Sequence, residues 1–186
     1  MRLFIAIDLG EDIIRRITKI EDELKRKDVD VKFVEPENLH LTLKFLGEVS
    51  ENQLDVIKKE TEMAVSGFSE FQISIEGCGY FGNPNYIRVL WIGVNKGREK
   101  LIDIIDMLNK SLESVRRDEY KPNPHLTIGR VRSGKNREFL LHEVESLEHV
   151  KLGEINVKEI KLKESVLSRK GPVYNDIKIF KLKQSA

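Results

Sequence analysis

An internal repeat constrains the fold of this chain more than any other feature of its 186 residues. The tetrapeptide His40-Leu41-Thr42-Leu43 recurs 85 positions later as His125-Leu126-Thr127-Ile128. At the same offset Phe4-Ile5-Ala6-Ile7 matches Val89-Leu90-Trp91-Ile92, so an apolar run precedes each copy. Two copies are too few for a solenoid, in which stacked repeats cover one another. The repeat therefore predicts two similar lobes related by a pseudo-two-fold axis, with a cleft between them.

Hydrophobic periodicity predicts the elements of both copies. Strands are expected at 2–9, 31–34, 40–46, 71–75, 86–94, 125–132, 150–157, 159–167 and 173–182, and helices at 11–27, 51–65, 98–116 and 135–147. Gly77, Gly79, Gly82 and Pro84 predict a loop between the copies. Because no Gly/Ser-rich or Pro-rich linker divides them, we expect a single bilobal domain over 1–186, with approximate halves 1–85 and 86–186.

Composition excludes several classes of protein. The 32 Lys and Arg against 31 Asp and Glu give a net charge of +1, too low for a protein that grips long nucleic acid by bulk charge. Cys78 is the only cysteine, which excludes an intramolecular disulfide and a cysteine-rich zinc site. No run approaches the roughly 18 apolar residues of a membrane span, and the apolar N-terminus ends at Asp8, too early for a signal-peptide core. We therefore expect a cytoplasmic protein without a membrane partner.

Each copy places a histidine and a threonine on one face of a strand, because strand side chains alternate between faces. His40 and Thr42 share a face with Lys44, and His125 shares one with Thr127. If the lobes are related by a two-fold axis, the two faces meet across the cleft. Two imidazoles suit phosphodiester cleavage, since a pKa of about 6.5 lets one ring act as base while the other acts as acid. The threonine hydroxyls would donate hydrogen bonds to the nonbridging phosphate oxygens.

Other interpretations of the histidines stay open. A single histidine on a strand is most often structural or superficial, but two of the four here fall in the duplicated triplet. His142 and His149 lack that context, and we expect them to be solvated. A metal site is the other alternative. It would need ligands from elsewhere, since each strand face offers one good ligand and no Asp, Glu or Cys. We expect no metal and no cofactor.

The residues around both triplets resemble the paired HxT motifs of the 2H phosphoesterases. The matching segments are 40–47 (HLTLKFLG) and 124–130 (PHLTIGR), while 2–8 (RLFIAID) and 168–174 (SRKGPVY) look like the two ends of one branch. That branch is the RNA 2′,3′-cyclic phosphodiesterases, historically called 2′-5′ RNA ligases, and the resemblance covers essentially the whole chain. It implies a bilobal α+β fold, with two antiparallel sheets facing an active-site cleft and helices outside.

The resemblance also implies metal-independent hydrolysis of a terminal 2′,3′-cyclic phosphate to a 2′-phosphate. His40 would then be the acid for the leaving 3′-oxygen and His125 would position water, although a pseudo-symmetric site allows the reverse. Thr42 and Thr127 would bind the phosphate. Arg130 matches a family position that contacts the phosphate.

Four further candidates for substrate binding carry weaker signals. Phe45 matches a family position that stacks on the terminal base. Phe45 and Arg130 each lie five residues after a histidine, however. A regular strand would therefore turn both side chains toward the core unless a bulge intervenes. Lys44 shares the site face by parity and would line its rim. Arg169 and Lys170 precede a Gly-Pro turn and would contact RNA phosphates or remain solvated. Tyr174 would reach the site or close the core.

Three other functions compete with cyclic phosphodiester hydrolysis. One is RNA end joining through a 2′-5′ linkage, formally the reverse reaction at the same site. A second is opening of small cyclic phosphates on nucleotide-sugars. The third is a non-catalytic module that binds RNA ends, which the presence of both histidines disfavours. The expected partners are RNA ends with a 2′,3′-cyclic phosphate, tRNA-derived ends among them, and the expected oligomeric state is a monomer.

Overall fold

A computed structural model of the chain describes residues 1–118, 121–169 and 171–185, and contains nine strands and four α-helices in that part. None of these helices is long and apolar enough to cross a membrane. The elements are β1 (Arg2–Asp8), α1 (Glu11–Lys25), β2 (Val31–Phe33), β3 (His40–Glu48), α2 (Leu54–Val65), β4 (Phe71–Asn83), β5 (Tyr86–Val94), α3 (Arg98–Ser111), β6 (His125–Val131), α4 (Arg137–Ser146), β7 (Lys151–Val157), β8 (Glu159–Ser168) and β9 (Gly171–Lys181).

The strands form two antiparallel sheets. The first sheet has the order β3-β1-β8-β9 and the second the order β2-β6-β5-β4-β7. Helices α2 and α3 contact strands of the first sheet, α1 and α4 contact strands of the second, and α2 also packs on α3. Strand β3 contacts β6 where the sheets meet, so the duplicated triplets lie together. The predicted α+β fold with two antiparallel sheets is confirmed.

The amphipathic faces of the elements explain this packing. In α1 the buried apolar residues Ile13, Ile17, Ile20 and Leu24 follow the helical period, and acidic residues in its first turn favour the positive end of the helix dipole. Strand β1 lies between two neighbours in its sheet and is buried on both faces from Leu3 to Ile7. A strand that is flanked on both edges and buried on both faces favours such a continuous apolar run.

The two sheets exchange elements between the halves of the sequence. Strand β4 lies in the first half but pairs with β5 and β7 of the second sheet, whereas β8 and β9 return to pair beside β1. Strand β2 likewise pairs with β6. The position near residue 85, where the repeat restarts, is therefore not a boundary between the sheets.

Strand β4 corrects the predicted loop at residues 77–84, because it continues to Asn83. Its glycines allow this strand to bend and allow a neighbouring side chain to pack against its backbone. Gly77 and Gly82 have φ values of +79° and +119°, which disfavour other residues, and the register shifts beside both. A Cβ on Gly79 would lie 2.3 Å from the Trp91 ring, so the indole packs directly on the backbone.

Candidate active site

A cavity of about 370 Å³ lies where the two sheets meet. Most of the predicted site residues line it, namely His40, Thr42, Phe45, Thr127, Arg130 and Tyr174. The rest of its wall is formed by Arg2, Phe4, Lys32, Phe33, Val34, Glu35, Asn38, Ser165, Leu167, Gly171 and Pro172. His125 is not among the lining residues, but it lies two residues before Thr127 on the same face of β6. The cleft predicted from the repeat thus collects residues from both sheets.

The two histidines are oriented by the same local contact. The Nδ1 atom of His40 lies 2.7 Å from the carbonyl oxygen of Asn38, and that of His125 lies 2.6 Å from the carbonyl oxygen of Asn123. A carbonyl oxygen only accepts hydrogen bonds, so each Nδ1–H is the donor. The Nε2 atom of each ring is therefore left free to take up or release a proton.

Burial is the largest influence on both imidazoles and lowers the pKa of His40 and of His125 below the usual 6.5. The carbonyl of Asn38 or Asn123 acts in the opposite direction by favouring the protonated ring. Aromatic rings provide the burial, because Phe4 and Tyr174 lie 4.9 and 5.2 Å from the His40 ring between centroids, and Phe81 lies 4.8 Å from the His125 ring. Both rings therefore favour the neutral state more than a solvated imidazole does.

Two bulges turn Phe45 and Arg130 toward the cavity. In β3, Thr42 pairs with Ala6 and Lys44 with Ile5, so Leu43 has no partner of its own. In β6, Thr127 pairs with Trp91 and Gly129 with Leu90, so Ile128 is the extra residue. An extra residue reverses the alternation of faces beyond it. Both bulges lie three residues after the histidine, which makes the irregularity part of the repeat.

The same bulge makes the prediction for Lys44 wrong. Beyond Leu43 the alternation is reversed, and Lys44 points away from the cavity into a buried position. Its ammonium donates hydrogen bonds to Asn109 Oδ1 at 2.8 Å and to Asp118 Oδ2 at 2.7 Å. Lys44 therefore joins β3 to α3 and to the segment that leads toward β6, and it does not line the site.

The remaining candidates lie in the β8–β9 hairpin. Tyr174 reaches the site, since its ring stands edge-on to the rings of His40 and Phe4. Burial is the largest influence on its phenol and raises its pKa, while Arg2 and Arg130 act to lower it. Arg169 is exposed at the hairpin turn and is not among the lining residues, although Leu167 and Gly171 on either side of it are. Lys170 lies outside the described residues.

An ion-pair cluster lies beside His40 on the first sheet. Lys161 and Lys163 each contact both Asp8 and Asp176, with N–O distances from 2.6 to 3.0 Å. Burial would raise the pKa of the two carboxyl groups, but the hydrogen bonds from the lysines outweigh it and lower both values. The cluster pairs its own charges, whereas the cations Arg2, Lys32 and Arg130 line the cavity.

Several positioning contacts escaped the sequence prediction. The side-chain amide of Asn38 donates a hydrogen bond to the carbonyl of Pro172, which ties the loop before His40 to the hairpin. The guanidinium of Arg98 donates to Asn123 Oδ1 at 2.8 Å before the second histidine. The sequence does carry a signal for these asparagine contacts, because an asparagine precedes the histidine by two residues in both copies of the repeat.

The described residues contain no cluster of metal-binding side chains. Within residues 1–118, 121–169 and 171–185, no three side chains of His, Cys, Asp or Glu are grouped so that they could hold a metal ion. The prediction of metal independence remains a prediction, to be tested with a chelator.

Comparison with known proteins agrees with the motif interpretation. The family model described as LigT-like phosphoesterase matches the chain twice, over residues 7–91 and 92–174. The chain belongs to the LigT-like phosphoesterase family. The predicted membership of the 2H phosphoesterases is thereby confirmed, as is the prediction of a phosphoesterase.

Full-length relatives and solved structures extend the match. The RNA 2′,3′-cyclic phosphodiesterases of Methanothermobacter thermautotrophicus and Methanocaldococcus jannaschii are 42% and 40% identical to this chain, covering 98% and 96% of it and 99% of each relative. A crystal structure from Thermus thermophilus aligns with a TM-score of 0.82 at 28% identity over 100% of both chains. Escherichia coli LigT complexed with 3′-AMP aligns with a TM-score of 0.76 at 26% identity over 98% of both chains.

Proposed function

We propose that this LigT-like phosphoesterase hydrolyses terminal 2′,3′-cyclic phosphates of RNA to 2′-phosphates, without a metal ion. The observation that carries the proposal is the matched pair of histidines, each with Nδ1–H bound to a carbonyl two residues upstream and Nε2 left for proton transfer. The relatives named RNA 2′,3′-cyclic phosphodiesterase support the choice of substrate.

In the proposed step the neutral Nε2 of His125 removes a proton from a water molecule as that water attacks phosphorus. The bond from phosphorus to the ribose 3′-oxygen breaks, and protonated His40 delivers its Nε2 proton to that oxygen. The product carries a 2′-phosphate and a 3′-hydroxyl, and the two histidines have exchanged protonation states. General acid and general base catalysis each contribute on the order of 10²–10⁴-fold.

The remaining site residues are proposed to hold the substrate. Thr42 and Thr127 line the cavity from opposite sheets, where their hydroxyls would donate to the nonbridging oxygens. Arg130 would contribute a charge-assisted hydrogen bond to the same phosphate. Phe45 and Tyr174 are proposed to pack against the terminal nucleoside, since both present rings to the cavity.

The test uses an oligonucleotide that ends in a 2′,3′-cyclic phosphate, incubated with the protein in excess EDTA. We expect a 2′-phosphate end. A 3′-phosphate product would overturn the choice of leaving group, and loss of turnover with EDTA would overturn metal independence. Joined oligonucleotides would instead support 2′-5′ ligation, and binding without turnover would support an RNA-end-binding module.

Histidine variants test the mechanism separately. His40→Ala and His125→Ala are each expected to lower kcat by at least about 10²-fold, because each removes one proton-transfer group. His142→Ala is the matched control, since the His142 side chain is 79% exposed, lies on α4 and is not among the residues that line the cavity. Normal turnover by a folded His40→Ala or His125→Ala protein would exclude the two-histidine mechanism.

The cellular setting follows from the same proposal. RNA ends, tRNA-derived ends among them, are the proposed partners, and a cytoplasmic monomer is the proposed form. The cavity is built from both sheets of one chain, so its described wall needs no second copy. Size-exclusion chromatography with light scattering would test the monomer, for which the expected mass is 21.6 kDa.

A further inference from the structure

Two cations stand side by side in the cavity wall. In the ladder between β2 and β6, Lys32 is directly opposite Arg130, so both side chains project from the same face of the second sheet. Both residues are exposed and both line the cavity. Like charges directly opposite each other destabilise a sheet, because their repulsion is not compensated within the pair. This arrangement therefore requires a compensating anion or lowers stability.

Carboxylates in the described part of the chain do not supply that anion. Among the described residues, neither Lys32 nor Arg130 has a carboxylate oxygen within 4.0 Å, whereas the nearby cations of the ion-pair cluster are paired. Glu35 also lines the cavity, yet it forms no such pair with either cation in that part of the chain. The cavity wall consequently carries the basic side chains of Arg2, Lys32 and Arg130 against one carboxylate.

The position of this pair relative to Thr127 indicates which anion it binds. Because of the bulge at Ile128, Thr127 and Arg130 are successive side chains on the cavity face, about 7 Å apart along the strand. Lys32 lies one strand further out, beside Arg130. A nucleotide chain places its next phosphate across one ribose from the terminal phosphate, on its 5′ side. An RNA end whose terminal phosphate is at Thr127 would therefore bring that next phosphate to Lys32.

We propose that Lys32, together with Arg130, binds the internucleotide phosphate on the 5′ side of the terminal nucleotide. This inference rests on the proposed function and deepens it, since it makes the substrate an oligonucleotide end and not a free nucleoside cyclic phosphate. Arg130 lies between the two phosphates, and Lys32 contacts only the second. Lys32 is thus a specificity residue and takes no part in the proton transfers.

The test compares two dinucleotides that both end in a 2′,3′-cyclic phosphate. One has an ordinary phosphodiester linkage and the other an uncharged methylphosphonate linkage, so they differ in one negative charge. For the unmodified enzyme we expect KM to be about threefold to fivefold lower with the charged linkage, as for an exposed ion pair. Lys32→Met should reduce that advantage to the part that Arg130 supplies and leave KM for the uncharged dinucleotide unchanged. Lys32→Arg should retain the advantage.

Two controls separate this role from a structural one. Lys59→Met makes the same charge change at an exposed position on α2 and should leave both KM values as they are. Lys32→Met relieves the repulsion with Arg130, so its Tm should equal or exceed that of the unmodified protein. Equal KM values for the two dinucleotides, or an equal rise in both with Lys32→Met, would overturn the inference alone. Turnover of neither dinucleotide would overturn the proposed function and the inference with it.

Discussion

The buried Lys44 offers a sharp test of how the two lobes are held together. Its side chain is fully buried, and its ammonium contacts Asp118 at 2.7 Å and Asn109 at 2.8 Å. Asp118 lies in the segment between α3 and β6, ahead of the second histidine triplet. The ion pair thus connects the strand of the first histidine to the approach to the second.

The two partners are expected to respond unequally to mutation. Among the described residues, Asp118→Ala leaves the buried ammonium with the Asn109 amide oxygen as its remaining partner, and an uncompensated buried charge costs about 3–5 kcal/mol. Because the Asp118 side chain is 31% exposed, water can reach the space that it leaves, and we expect the lower end, about 3 kcal/mol. Lys44→Met keeps the apolar stem and returns Asp118 to water, so it should cost about 1 kcal/mol or less.

Urea denaturation of both variants measures these free energies of unfolding, and the double variant completes the cycle. Asp118→Ala in the Lys44→Met background should be nearly neutral, because no buried charge is left unpaired. If Lys44→Met were more destabilising than Asp118→Ala, the penalty would not come from an uncompensated buried ammonium and the reasoning would be refuted.

Three further predictions concern pH and packing. Glu21 is buried, neither of its carboxylate oxygens has a hydrogen-bond partner among the described residues, Lys25 Nζ lies 4.0 Å from Oε2, and burial raises the pKa of Glu21 from 4.5 to about 8. Because Glu21 ionises at lower pH in the unfolded chain than in the folded protein, the free energy of unfolding falls as pH rises from 4.5 to 8. Glu21→Gln should therefore be about 1–3 kcal/mol more stable than the unmodified protein at pH 7. Urea denaturation should show a smaller gain near pH 4.5. Because burial lowers the pKa of His40 and His125, the optimum of kcat/KM should lie below pH 6.5, and an optimum above it would contradict the shared burial. Gly129→Ala would bring a Cβ to 2.7 Å from Val31 and should lower stability by about 1–3 kcal/mol in thermal denaturation.

The sequence predicts the positions of the strands better than it predicts which strands pair with each other. Alternating apolar residues locate the strands, and the duplicated triplets locate His40 and His125, because these signals depend only on the chain's own period. Sheet membership depends on which strands meet in space, and the repeat does not encode that β4 joins the second sheet while β8 returns to the first.

The alternation of strand faces also changes beyond a bulge. The alternation is correct up to Thr42 and wrong for Lys44, because Leu43 adds one residue to the strand. The need for a bulge was visible at Phe45 and Arg130, whose site roles conflicted with a regular strand. The same bulge turns Lys44 toward the core.

The repeat orients the two histidines alike, so their different roles must come from contacts that the repeat does not share. Beside His40 the charges oppose each other, since Lys163 lowers its pKa and Asp8 raises it. Beside His125, Arg98 is the charged group that acts, and it lowers the pKa. Arg98 belongs to the start of α3, where the first copy has no matching arginine at the same offset.

Removing that one charge therefore reports the role of His125. Arg98→Met should raise the pKa of His125, and if His125 is the base, the acidic limb of the kcat/KM profile moves to higher pH. Arg98→Lys keeps the charge and is the control, because Arg98 also holds Asn123 at 2.8 Å. A shift of the alkaline limb would instead make His125 the acid and His40 the base. The limb of the pH profile that moves thus shows which histidine is the acid and which is the base. The Nδ1 contacts with the carbonyls of Asn38 and Asn123 do not distinguish these roles, because both histidines have them.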